Sequence, residues 1–145
     1  MIGLLQRVSC ASVTVNQKIT GKIDRGLLVF IGIEKDDSTD NAERLLDKLL
    51  NYRVFPDKEG RMNLGLKDIR GSLLLVPQFT LPADTRKGTR PSFSSAAPPD
   101  KGRELFEYLL TITKNKYAKV ESGIFGANMQ VKLTNDGPVT FWLQA

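Results

Sequence analysis

Two apolar runs, GLLVFIGI at residues 26–33 and SLLLVPQFTL at residues 72–81, constrain this chain more than any other feature. A strand with one wet face alternates apolar and polar residues; a run apolar almost throughout suits a central strand covered on both faces. Residues 26–33 therefore predict one buried strand. Residues 72–81 predict a second, interrupted at Pro77. Upstream, IGLLQRVSCASVTV alternates around Val8, Ala11, Val13 and Val15, while KITGKID at 18–24 carries turn residues.

Cover for these strands comes from two amphipathic segments. Asp36, Asp37, Ser38, Thr39 and Asp40 are helix-start residues, and Ala42, Leu45, Leu46, Leu49 and Leu50 follow on one stripe. Pro98-Pro99-Asp100 opens a second helix with Leu105, Phe106, Leu109, Leu110 and Thr113 along one face. NMQVKLT and VTFWLQA read as two closing strands, and PDKEGRMNLGLKDIRG at 56–71 as a loop, whose charges over 57–70 alternate in sign as ordinary surface. The order βββ-α-β-α-ββ, with no repeat or internal boundary, predicts one α+β domain over residues 1–145 with a mixed sheet.

The chain has no histidine. That excludes Ser-His-Asp and Cys-His catalysis, His-ligated metals and the usual near-neutral general base. With a single cysteine, Cys10, neither a zinc site nor an internal disulfide is expected. Cys10 is expected to pack within its strand, in a reducing cytosol. No apolar run is long enough to span a membrane, and the first ten residues do not resemble a signal peptide, so a cytoplasmic protein is expected. A net charge of +5 pulls mildly toward an anionic partner.

Chemistry must then rest on backbone, hydroxyls, carboxylates or the substrate itself. Proline cannot donate to a ladder, so Pro77 predicts a strand end that leaves the amides of Gln78, Phe79 and Thr80 free to hold an oxyanion or carbonyl oxygen. The plain alternative is a strand that simply stops, with Phe79 and Leu81 packed in the core. Thr80 as a nucleophile needs a base, for which only Asp84 or Asp136 stands out. The loop 82–99 carries Arg86, Lys87 and Arg90, which suit phosphates or a solvated surface. Arg7, in a half-buried strand, must be paired, and its guanidinium suits carbonyl oxygens. Finally, LTNDGPVTFWLQA places Asn135-Asp136-Gly137-Pro138 between two strand-like runs. A tight hairpin would be met by Asn-Gly or Asp-Gly, so the Gly-Pro bond, the type that most readily populates cis, needs another explanation.

QRV at 6–8, QFTL at 78–81, RPSFS at 90–94 and NDGPVTFWLQ at 135–144 together resemble the D-aminoacyl-tRNA deacylases of bacteria and eukaryotes, and the resemblance runs from Met1 to the C-terminus. It implies a barrel-like mixed sheet with two main helices, in an intertwined homodimer. The implied activity is hydrolysis of the ester joining a D-amino acid, or glycine mischarged on tRNA(Ala), to the terminal adenosine of tRNA, with no cofactor and no metal. The implied partner is the acceptor end of aminoacyl-tRNA. By the same resemblance, Gly137 and Pro138 form a cis motif that enters the partner's pocket and rejects L-side chains. Arg7 would hold their carbonyls, Gln78, Phe79 and Thr80 would orient the ester, and Phe79 and Met129 would lie by the adenine or pocket wall. The ribose 2′-hydroxyl would help to activate water.

The usual family motif has serine where this chain has Pro77. A related animal deacylase that edits L-alanyl-tRNA carries Pro-Gln there with a trans Gly-Pro, but lacks the arginine equivalent to Arg7. Arg7 and Phe79 align this chain with the D-specific form. The alternatives are that L-alanyl-editing paralogue, with relaxed specificity, and a non-catalytic nucleic-acid-binding protein.

Overall fold

Strand β1 (Ile2–Val15) organises the sheet in the computed structural model, which describes all 145 residues. Along one of its edges run β2 (Lys18–Ile23) and β3 (Gly26–Gly32) in succession, both antiparallel to it. Along the other runs the long closing strand β8 (Gln130–Gln144). The sheet continues from β3 to β6 (Ser72–Pro77) and β7 (Val120–Ser122), each parallel to its neighbour. Parallel pairing requires a crossover, and helices α1 (Thr39–Asn51) and α2 (Pro99–Lys116) supply the two. A small ladder, β4 (Phe55–Pro56) with β5 (Met62–Leu64), lies between α1 and β6.

The sheet has apolar residues buried on both faces. One cluster joins Leu5, Leu27, Val29, Leu73 and Leu75 to Leu45, Leu46 and Leu49 of α1 and Leu105, Phe106 and Leu109 of α2. The other gathers Val8, Ala11, Val13, Ile23, Leu28, Leu74 and Val76. Adjacent residues of β3 and β6 therefore point into two different cores, which is why their sequences do not alternate. The sheet curls until β2 approaches β7, with Gly21 lying against the Ser122 carbonyl, and the result is a nearly closed, barrel-like mixed sheet.

Each buried leucine of α1 contributes roughly 1.5–3 kcal/mol, so packing outweighs the N-cap of about 1 kcal/mol. The cap is present nonetheless, the Ser38 N–H donating to Asn41 Oδ1 at 2.9 Å.

The structure corrects four expectations from the sequence. KITGKID is mostly strand β2, because the turn lies one step earlier at Asn16 and Gln17, both with positive φ. The segment 57–70 is not all loop, since it contains β5, which folds back on Phe55–Pro56. The two closing strands are one: residues 130–134 and 140–144 both pair antiparallel with β1 in the same direction. Cys10 lies in β1 as expected but is exposed, its Sγ 3.7 Å from Thr134 Oγ1.

Candidate active site

Pro77 ends β6, and the chain turns immediately, with the Leu81 N–H donating to the Gln78 carbonyl at 3.2 Å. The Gln78 amide is not free. It donates to the Ile31 carbonyl at 2.8 Å, because the parallel ladder with β3 runs unbroken through the proline and ends one residue beyond it. The amides of Phe79 and Thr80, the two central residues of the turn, have no acceptor in the chain. The candidate oxyanion site is therefore two successive amides instead of three. Nor does the strand end with Phe79 in the core, since that side chain is 64% exposed.

The turn forms one wall of a cavity of about 440 Å³, within the range of small-molecule sites. Val76, Pro77, Gln78 and Phe79 line that wall, and Ala97 and Pro99 lie at the start of α2. Phe125, Gly126, Ala127, Met129 and Val131 come from the segment that follows β7 and the first residues of β8. Met129 is held by its sulfur, which accepts the Ile124 N–H at 3.4 Å. A Cβ on Gly123 would stand 2.7 Å from that sulfur, so the missing side chain there lets Met129 reach the wall. Arg103 lies over the Phe125 ring, 5.2 Å from its centroid.

Thr80 does not line the cavity. Its hydroxyl accepts from Gln78 Nε2 at 2.5 Å, and neither candidate base serves it. Asp84 accepts two bonds from the Arg86 guanidinium, at 2.9 and 2.7 Å, and a third from the Arg86 backbone N–H. These bonds hold its carboxyl far below the usual carboxylate range. Asp136 pairs with Arg7 Nε at 3.1 Å. No group of three or more His, Cys, Asp or Glu side chains converges anywhere to bind a metal. No helix is long and apolar enough to cross a membrane.

Arg86, Lys87 and Arg90 sit at the exposed tip of a loop closed by the Asp84–Ser92 bridge. Lys87 and Arg90 have no ion-pair partner. At the base of this loop Phe93, 43% exposed, packs on Phe79 with ring centroids 5.4 Å apart.

The NDGP segment is not a turn between strands. Gln6 pairs with Thr140 and Val8 with Asn135, so residues 136–139 of β8 stand opposite Arg7 alone. The surplus is thrown outward as a protrusion carrying Asp136, Gly137 and Pro138, all exposed. The Gly137–Pro138 peptide bond is cis, and Gly137 has φ +119°, a conformation that a side chain would strain. Arg7 is almost buried beneath the protrusion. Its Nε donates to the Asp136 carbonyl at 3.2 Å and its Nη1 to the Val54 carbonyl at 2.6 Å. The acceptor is thus the carbonyl of Asp136, one residue before the expected Gly-Pro pair. Neither Gly137 nor Pro138 lines the cavity formed by its own chain.

Sequence reasoning missed Asn135. Its Nδ2 donates to the carbonyls of Arg7 and Val139, each at 3.0 Å, and its Oδ1 accepts from the Thr140 hydroxyl at 3.2 Å. One side chain thus closes the neck of the protrusion. Only its place at the start of NDGP signalled it.

Residues 4–144 match the family model described as D-Tyr-tRNA(Tyr) deacylase. A D-aminoacyl-tRNA deacylase of Pseudomonas putida is 63% identical over 144 residues, spanning 99% of each chain. One from Legionella pneumophila is 58% identical over the same length and coverage. A solved structure described as a c-Myc DNA unwinding element binding protein superposes with a TM-score of 0.95 at 36% identity, covering 100% of this chain and 99% of its own. Another, a probable eukaryotic D-amino acid tRNA deacylase, has a TM-score of 0.86 at 19% identity over 99% and 98% of the two chains, and shares the fold.

Proposed function

The chain belongs to the D-Tyr-tRNA(Tyr) deacylase family, and from that premise we propose that it hydrolyses the ester of D-aminoacyl-tRNA, releasing tRNA and the D-amino acid. The observation that carries the chemistry is the pair of unpartnered amides at Phe79 and Thr80 beside an apolar cavity. An aminoacyl ester is already activated, so orientation and an oxyanion site suffice. Water attacks the ester carbonyl, and the two N–H groups take the charge that develops on its oxygen. The tetrahedral intermediate then expels the 3′-oxygen of the terminal adenosine, which leaves as a hydroxyl carrying the proton that the attacking water gave up. The neighbouring ribose 2′-hydroxyl assists the attacking water, a role that no histidine is present to fill. Thr80 bonds and orients; it is not the nucleophile. Phe79 and Met129 flank the adenosine, and Arg86, Lys87 and Arg90 meet the phosphates of the acceptor end.

Selectivity rests on the protrusion. Gly137 and Pro138 are exposed and outside their own cavity, so they act in the cavity of a second copy, in a two-fold homodimer. The outer edge of β8 carries no strand and Trp142 on it is 53% exposed, which supports an interface there. Backbone carbonyls at that wall collide with an L-side chain and leave a D-side chain untouched. Glycine mischarged on tRNA(Ala) passes for want of a side chain. The setting is translation quality control in the cytoplasm.

A second reading, nucleic-acid binding without catalysis, is favoured only by the name of the 36%-identical solved structure. Incubation with D-Tyr-tRNA, L-Tyr-tRNA and Gly-tRNA(Ala) separates the two. Loss of the D- and glycyl esters alone supports the deacylase. Binding with every ester left intact supports the second reading.

A further inference from the structure

We infer that Phe93, packed against Phe79 at the mouth of the cavity, is a platform for the base of the nucleotide preceding the terminal adenosine. Large exposed apolar side chains are few in this chain, and two of them, Phe79 and Phe93, pack their rings together. Their rings are tilted by 42°, and water reaches both. Phe79 belongs to the cavity wall and Phe93 does not, so the pair leads outward from the cavity.

The loop beyond is built to hold its shape. Asp84 and Ser92 exchange backbone hydrogen bonds of 2.8 and 3.0 Å, Ser95 Oγ donates to the Pro82 carbonyl, and the Lys35 N–H donates to the Ser95 carbonyl at 3.0 Å. Phe93 is thereby fixed between the cavity and the cationic tip with Arg86, Lys87 and Arg90. Aromatic faces that stack bases beside cations that follow phosphates are the two components of single-strand recognition. Charge and continuity with the cavity select the occupant: a single-stranded RNA end, not an apolar peptide.

The inference rests on the deacylase reading, and two substrates tell their failures apart. D-aminoacyl-tRNA reaches past the terminal nucleoside, whereas a D-aminoacyl ester of adenosine ends at it. Phe93→Leu is expected to lower kcat/KM on the tRNA about tenfold and to leave the adenosine ester within about twofold, with Phe93→Tyr restoring the tRNA value. Equal losses on both substrates, or no loss on either, overturn the platform, since Phe93 then only supports Phe79 or does nothing. If the wild-type protein cleaves neither substrate, the deacylase reading itself fails. Binding of a fluorescent single-stranded RNA then decides, and affinity undiminished in Phe93→Leu overturns the platform there too.

Discussion

Asn135→Ala is the sharpest perturbation of the protrusion. It removes two bonds from Nδ2 that bridge the carbonyls of Arg7 and Val139, and one from the Thr140 hydroxyl to Oδ1. Each is worth about 0.5–1.5 kcal/mol net, and with the side chain half-buried the sum is about 2 kcal/mol. For a domain of this size that lowers Tm by roughly 6 °C, readable by calorimetry. The same energy bounds how firmly the neck resists being pushed aside by an L-ester. At about 1.4 kcal/mol per factor of ten, the D-to-L ratio of kcat/KM should fall between about 10-fold and 30-fold. Parallel rates on D-Tyr-tRNA and L-Tyr-tRNA measure it. An unchanged Tm would refute the energetic role of the side chain. A lowered Tm with an unchanged ratio would refute the protrusion as the stereochemical barrier.

Thr80→Ala should lower the rate only in part, about tenfold or less, because both backbone amides survive the change; complete loss in a folded variant would mean a covalent threonine. Gly123→Ala places a Cβ 2.7 Å from the Met129 sulfur and 3.3 Å from Pro77, so steady-state kinetics should show a raised KM with thermal stability reduced by about 1–3 kcal/mol. A KM equal to wild type would show that Met129 does not shape the cavity. Replacing Arg86, Lys87 and Arg90 with Gln should flatten the salt dependence of tRNA binding, by about 0.7 in log–log slope for each single-strand phosphate that the protein no longer neutralises. A parallel shift at constant slope would remove these cations from the interface. Asp84, bonded to Arg86, should titrate well below its ordinary 3.8 by carboxyl-carbon NMR. The stability that this pairing contributes is therefore full above 3.8 and is lost as pH falls from 3.8 toward the lower folded value, where the paired carboxylate itself takes up its proton. A midpoint at or above 3.8 would show that the loop is not held this way.

What could be read from the sequence was what local periodicity records. The stripes Ala42–Leu50 and Leu105–Thr113 are one-face patterns, and the packed helices bury most of them. The runs around Leu28 and Leu74 announced strands with two covered faces, and two separate clusters cover them. Register is different. That residues 130–134 and 140–144 continue one strand depends on β1, at the opposite end of the chain, and no local signal carries it. Strand β7 is three residues long, too short to show a period. At the site, Pro77 pointed to a region of free amides, but whether Gln78 donates depends on where the parallel partner stops. Arg7 announced a need for carbonyls without revealing that Asp136 and Val54 would meet it.

The excursion in β8 also has a bearing on how such a site changes over generations. Its two flanks are locked to β1 independently, Gln130–Thr134 against one half and Thr140–Gln144 against the other. The length and chemistry of what lies between are consequently uncoupled from the frame that carries them. A residue gained or lost at the crest alters its reach without reversing which side chains on either flank face inward. The crest can therefore differ in length and chemistry while the frame of the sheet is left as it is.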